Sequence, residues 1–331
     1  MSTSPSMFLL RFDMRAPASS PASTTELYRA ALEMADWGEE HGCLSVVISE
    51  HHQSSDGYLP SPVVLATAIA ARTSSLPIVV GALLLNFYDP VKLAEDMTVL
   101  DILSGGRVTY VIGLGYRPEE YAMFGIDMAE RGHVIEAKLT ALRRALAGET
   151  FEFEGRRVKI TPSPVTPGGP GLMYGGHSTA AARRAGRFGL DFFAEAENAG
   201  LEAAYRDGAA ETGATPGSCI VPPSTNPTTV FVAEDVDRAW HQIGPSMLHD
   251  AQMYGSWFAP SHLAASKSGA TTVAELRAEH GAYRIVTPDE ALEMIRAGQP
   301  LALQPLCGGL PPAVAWESLQ LIADRVLPAL G

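Results

Sequence analysis

The chain has 331 residues, 46% hydrophobic and 18% charged, a globular composition with length enough for one large core or two smaller ones. Its 24 basic residues face 37 acidic ones, a formal net charge of −13 spread without long like-charge blocks. Such a surface repels phosphate backbones and argues against a nucleic-acid partner. Cys43, Cys219 and Cys307 are far apart and form no CxxC pair, so buried reduced thiols, no structural zinc and a cytoplasmic location are expected. No signal peptide is expected, because residues 1–6 lack a basic start and the apolar piece 7–12 is short. No run approaches the ~20 apolar residues of a membrane span.

Taken in order, residues 7–12 read as a first strand and 16–23, rich in Ala, Ser and Pro, as a loop. Thr24 or Thr25 can cap a helix whose Leu27, Ala31, Met34 and His41 share one face, with Gly42 ending it. Val46-Val47-Ile48 is a continuous apolar run of the kind a buried parallel strand shows. It stops abruptly at Glu50-His51-His52 and is followed by a loop through Tyr58-Leu59-Pro60-Ser61-Pro62 and a helix over 62–71. A strand over 78–85 follows; Asp89 then caps a helix with Pro90 at its first position, which buries Leu93, Met97 and Leu100 and stops at Gly105-Gly106. The fourth strand, 108–112, ends in Gly113-Leu114-Gly115-Tyr116.

Ile135, Leu139, Leu142 and Leu146 mark the next helix, 151–156 a small hairpin and 162–170 a surface connection. A strand over 171–174 leads into Gly175-Gly176-His177-Ser178-Thr179 and a helix over 180–188. Residues 191–193 and 229–232 fit a sixth and a seventh strand, and the helix 235–248 aligns Val236, Trp240, Ile243 and Met247. The stretch 250–282 is weakly periodic, holds Tyr254, Trp257 and Phe258, and reads as an insertion covering one end of the sheet. Residues 301–303 are the eighth strand and 313–327 the closing helix. Strand–helix alternation of this kind implies a parallel sheet covered by helices, here as one domain over 1–331. In a (β/α)₈ barrel the C-terminal ends of the strands carry the chemistry, which would put Glu50, His51 and His52 at the mouth.

An imidazole titrates near neutral pH, so His51 can pass a proton; a histidine hydrogen-bonded at a strand end is the plainer alternative. Glu50 fits an orienting partner, and His52 either a supporting or a structural role. No metal site is expected, because adjacent strand residues point to opposite sides and no third ligand is evident. At residues 175–179 the backbone N–H groups of a helix start, with two hydroxyls, make an anion site without lysine, or simply a cap. Gly113-x-Gly115 lacks the context of a dinucleotide fingerprint and reads as close backbone approach to a flat ring. Tyr58, Asn86, His249 and Trp257 are candidates to line a substrate pocket, or packed residues.

Several of these segments resemble one family. Glu50-His51-His52 with Tyr58-Leu59-Pro60-Ser61-Pro62 is similar to the second strand and loop of the bacterial luciferase-like monooxygenases. Asp89-Pro90-Val91-Lys92-Leu93-Ala94-Glu95-Asp96, Leu100-Asp101 and Leu103-Ser104-Gly105-Gly106-Arg107 resemble its third helix. Gly115-Tyr116-Arg117-Pro118-Glu119-Glu120-Tyr121 with Phe124-Gly125, then Gly175-Gly176-His177-Ser178 and Val286-Thr287-Pro288-Asp289-Glu290, follow in the family's order. The resemblance covers nearly the whole chain and is weakest in 195–227 and 256–280.

The resemblance implies a (β/α)₈ TIM barrel with insertions at its C-terminal face, the lid being 250–282, which binds a reduced flavin or deazaflavin and is usually a homodimer. It ties catalysis to His51 with Glu120 as a nearby acid, and the terminal phosphate to Gly175, Gly176, His177, Ser178 and Thr179. Gly115 and Tyr116 would flank the ring system, backed by a non-proline cis peptide expected at Ala82-Leu83. Leu114 stands where FMN members often carry an arginine; Arg117 is the candidate substitute, or a surface arginine. The expected function is a monooxygenase using O₂ and reduced FMN, supplied by a separate flavin reductase or NAD(P)H, on a small organic substrate. The rivals are a hydride-transfer enzyme using the deazaflavin coenzyme F420 and a barrel that binds flavin without turnover.

Overall fold

A computed structural model describes residues 7–258 and 264–330. Eight strands among them follow one another in the barrel order: Phe8–Phe12, Val46–Ile48, Ile78–Leu84, Val108–Gly113, Gly171–Gly176, Asp191–Ala194, Thr229–Val232 and Leu301–Leu303. The hydrogen-bonded ladder runs from the seventh strand through the eighth to the first, then in sequence to the sixth, with every pairing parallel. Helices lie between successive strands, which makes this a (β/α)₈ barrel. Cys219–Ile220 adds a short parallel strand beside the sixth, and Tyr283–Val286 another beside the seventh. Because helices cover the outside and side chains fill the inside, Ile48, Ile78, Val80, Val108, Tyr110 and Ile112 are all buried.

Local chemistry sets the ends of the helices. Asp89 accepts hydrogen bonds from the Val91 and Lys92 amides, Pro90 opens the helix Pro90–Ser104, and Gly105 closes it with φ +65°. The first helix, Thr24–Glu40, is capped by Ser23 rather than by Thr24 or Thr25, because Ser23 and Glu26 form a reciprocal capping box. Phe151–Phe153 and Arg156–Val158 pair antiparallel as the expected hairpin.

Four features depart from expectation. The helix expected over 235–248 is Val236–Trp257, since Ile243, Met247, Ala251 and Tyr254 continue one buried face past Pro245. Residues 259–263 of the expected lid lie outside the described residues. A helix at Leu201–Thr212 was not foreseen: it packs through Gly208 against the backbone of Arg183, and Gly186 of the helix Thr179–Arg187 meets Tyr205 backbone, contacts no side chain would permit. Tyr283–Val286 and the capped helix Pro288–Arg296 form a further strand–helix unit. Finally, the non-proline cis peptide is Gly81-Ala82, one residue before the expected Ala82-Leu83, where pairing to the fourth strand shifts register between Gly81 and Leu83.

Candidate active site

Val46–Ile48 delivers Glu50, His51 and His52 to the C-terminal end of the barrel, and all three are buried. The two imidazoles point to different neighbours. His51 Nδ1 lies 2.9 Å from Glu120 Oε1, while His52 Nε2 lies 2.8 Å from Glu50 Oε1. A carboxylate oxygen can only accept, so Nδ1 of His51 carries the hydrogen and its Nε2 keeps the lone pair. That Nε2 faces the Tyr116 hydroxyl at 3.2 Å. Glu120 Oε1 also accepts from the His52 amide at 2.9 Å and Arg117 Nη1 at 3.3 Å. Burial opposes the charge on Glu120, yet the His51 and His52 donors and the Arg117 charge outweigh it and hold its pKa below the usual carboxylate value. Burial likewise holds the His51 pKa below that of a free imidazole, partly offset by Glu120, so the ring is neutral near pH 7.

Glu50 has a separate task. It accepts from the Leu84 amide at 2.9 Å and the Tyr88 hydroxyl at 2.8 Å as well as facing His52, tying the second strand to the end of the third. It orients His52, not His51.

Across the mouth stands a group that the sequence reading did not single out. Arg15 follows the first strand and is fully buried; it meets Asp56 at 2.6 Å, Asp250 at 2.8 Å and Asp13 at 3.3 Å. Asp13 is pushed up to about 7 by burial and by the neighbouring Asp250 charge. His249 joins this set through Asp56 at 2.9 Å. The Arg15 guanidinium packs on the rings of Tyr58, Tyr254 and Trp257, with its carbon 4.6, 4.8 and 4.6 Å from their centroids. Tyr58 and Trp257 in turn pack on His51 with ring centroids 4.9 and 4.8 Å apart. Tyr254, Trp257 and Phe258 of the expected insertion thus do reach the mouth. The signal for Arg15 was available: Asp13-Met14-Arg15 sits at the C-terminal end of a strand, like Glu50-His51-His52.

Other candidates fall elsewhere. Asn86 is fully buried and donates to the Tyr121 hydroxyl at 2.9 Å and the Arg131 carbonyl at 3.1 Å, away from the ring cluster. Arg117 is neither a surface arginine nor a partner of residues 175–179: it is buried, donates to the His52 carbonyl at 2.6 Å and stacks on Trp257 at 4.2 Å. Gly113 is small because a Cβ there would stand 2.7 Å from that of Ala82, and Gly115 because its φ is +79°. After the fifth strand, Ser178 caps the helix Thr179–Arg187 by accepting from the Ala181 amide at 3.2 Å. Among the described residues no acceptor is recorded for the Thr179 and Ala180 amides, at exposed positions. His177 is half-buried, with Nδ1 3.3 Å from Glu195 and its carbonyl accepting from Asn198.

The luciferase-like monooxygenase family model matches residues 7–299. The chain belongs to this family. Among relatives of this luciferase-like protein, 4-hydroxyprotoasukamycin monooxygenase of Streptomyces nodosus subsp. asukaensis is 28% identical over 166 residues, 48% of this chain and 44% of that protein. The alkanal monooxygenase alpha chain of Photorhabdus laumondii is 27% identical over 173 residues, 51% of this chain and 48% of that one. The aligned region spans about half the length of these curated relatives. Among solved structures, the monooxygenase RslO1 from Streptomyces bottropensis superposes with a TM-score of 0.74 at 24% identity, covering 98% of this chain and 100% of that one. The oxygenating constituent of 3,6-diketocamphane monooxygenase from Pseudomonas putida, solved with FMN, gives 0.67 at 20% identity, with 98% of each chain covered. These likenesses establish the fold. Among the described residues no helix is long and apolar enough to cross a membrane.

Proposed function

We propose that this luciferase-like barrel is a flavin-dependent monooxygenase of small organic substrates, with His51 as its proton acceptor. The observation that carries the reading is the Glu120–His51 pair, which fixes Nδ1–H toward a buried carboxylate and leaves Nε2 as a base at the mouth. The donor set at residues 175–179 fits the terminal phosphate of FMN: two amides at a helix start that have no acceptor among the described residues, and the Ser178 and Thr179 hydroxyls. When bound, reduced FMN supplies the two electrons that activate O₂.

This chain's residues hold the geometry around it. Glu120 keeps the His51 tautomer, Tyr116 borders Nε2, and the Tyr58, Tyr254 and Trp257 rings exclude water from the imidazole. His51 then takes or returns a proton at Nε2 without its own charge persisting. A homodimer would cover Val64, Val99 and Leu103, which are 70%, 48% and 54% exposed on the helices Pro62–Arg72 and Pro90–Ser104. Anaerobic titration with reduced FMN and, separately, with reduced deazaflavin tests the cofactor. Tight binding of FMN followed by substrate-dependent uptake of O₂ is expected; binding of the deazaflavin alone would overturn the oxygenase reading.

A further inference from the structure

The indole of Trp257 lies between two buried guanidinium groups. Arg15 is 4.6 Å from its centroid and Arg117 is 4.2 Å, and the His51 ring borders it at 4.8 Å. Both cations hydrogen-bond or ion-pair along their edges, Arg15 to Asp13, Asp56 and Asp250 and Arg117 to the His52 carbonyl and Glu120. Their faces are left to aromatic rings. Among the described residues neither Nη2 of Arg15 nor Nε of Arg117 has a hydrogen-bond partner, so ring contact is much of what compensates these buried charges.

Trp257 is also less deeply buried than Tyr58 and Tyr254, the tyrosine rings it packs on. Tyr58, Tyr254 and Phe258 are buried, whereas Trp257 is only half-buried and sits in the last turn of its helix beside exposed Gly255 and Ser256. A glycine in that turn weakens it by about 1 kcal/mol relative to alanine. Its indole can therefore leave more readily than the buried Tyr58 and Tyr254 rings can.

We infer that the space between Arg15 and Arg117 is the substrate's ring site, and that Trp257 fills it until a planar, electron-rich, uncharged aromatic molecule of the phenol or naphthol class takes its place. The electron-rich face is what two stacked cations select. The carboxylates of Asp13, Asp56 and Asp250 fence Arg15 and disfavour an aromatic acid. The neighbouring His51 Nε2 is the acceptor a phenolic hydroxyl needs. This assignment rests on the monooxygenase reading above and names the substrate class of that site.

The test is calorimetric titration of the full chain with 2-naphthol, with decanal as a linear comparison and 2-naphthoate as a charged one. Naphthol is expected to bind at least about ten-fold more tightly than either. Trp257→Ala, which vacates the site, should bind it about three- to ten-fold more tightly than wild type, and Arg117→Gln more weakly by a similar factor. In the wild-type chain naphthol should also shift indole emission to the red, a shift lost in Trp257→Phe, so the outcome does not hang on one variant folding. Equal affinity for decanal, or no gain in Trp257→Ala with no emission shift, would overturn the inference. Titration of the same samples with FMN separates the two readings. FMN bound without naphthol preference sinks the ring site alone, and naphthol preference without FMN binding sinks the flavin reading.

Discussion

Two charged networks face each other across Trp257, and they are built in opposite ways. On the histidine side one carboxylate oxygen, Glu120 Oε1, collects three donors from His51, His52 and Arg117. On the other side one guanidinium, Arg15, collects three carboxylates. The first balances its charges and leaves a neutral imidazole whose Nε2 lone pair faces the Tyr116 hydroxyl, which is what a proton acceptor needs. The second carries more buried negative charge than positive, so Asp13 is driven toward protonation while Arg15 is locked in place under the rings. One network handles protons and the other shapes the pocket.

Breaking the second network should give the largest stability effect. Arg15→Met removes the cation from three buried carboxylates and should cost about 3–5 kcal/mol in urea denaturation. Arg15→Lys should recover only part of it, because an ammonium lacks the fork that reaches several carboxylates. An unchanged midpoint would mean that the carboxylates do not depend on Arg15.

Asp13 offers a pH test of the same network. A folded-state pKa raised to about 7 contributes stability that is fully present below the ordinary value of 3.8 and is lost as pH rises through 7. Asp13→Asn should therefore gain on wild type by a few degrees in Tm, about 2–4 °C per kcal/mol, as pH goes from 5 to 8. A constant difference across that range would refute the assignment.

The first network is sharpened by Glu120→Gln. Glu120 raises the His51 pKa against burial, so removing its charge should lower that pKa further and carry the acid limb of the pH–rate profile to lower pH. A limb that stays put would assign it to another group. The smallest effect belongs to Ser178→Ala, which loses the cap on Thr179–Arg187 at about 1 kcal/mol and should weaken reduced-FMN binding in the same titrations.

The two networks also differ in how far the sequence reveals them. Glu50-His51-His52 is contiguous and ends an unmistakable apolar strand, and Glu120 follows the next but one strand in a motif of its own. For Arg15 the local signal is its place with Asp13 just after the first strand, but its role shows only when Asp56 and Asp250 converge on it through tertiary folding. Those two acidic residues, so far along the chain, carry no local signal. The barrel itself was legible because its strands are short, mostly apolar runs, rich in Val, Ile and Leu in the second to fourth, alternating with capped helices. Leu201–Thr212 was not, because beyond Leu201 and Tyr205 its buried face is Ala and Gly, whose hydrophobic periodicity is faint. The helix through Trp257 was cut short at 248 because Gly255 and the polar His249, Asp250 and Gln252 weaken the apolar periodicity beyond it, while burial of Ala251 and Tyr254 carries the helix on. Arg117 illustrates the reverse case: visible in the sequence, its role was set by a neighbour, Trp257, far along the chain.

The central claim is that His51 is a neutral base held by Glu120, and ring-nitrogen NMR of the full chain tests it without any substrate. With histidine labelled by ¹⁵N and His51 assigned by comparison with His51→Asn, the account predicts at pH 7 a protonated Nδ1 and an unprotonated Nε2. Imidazolium shifts at both nitrogens, or a hydrogen on Nε2, would contradict it.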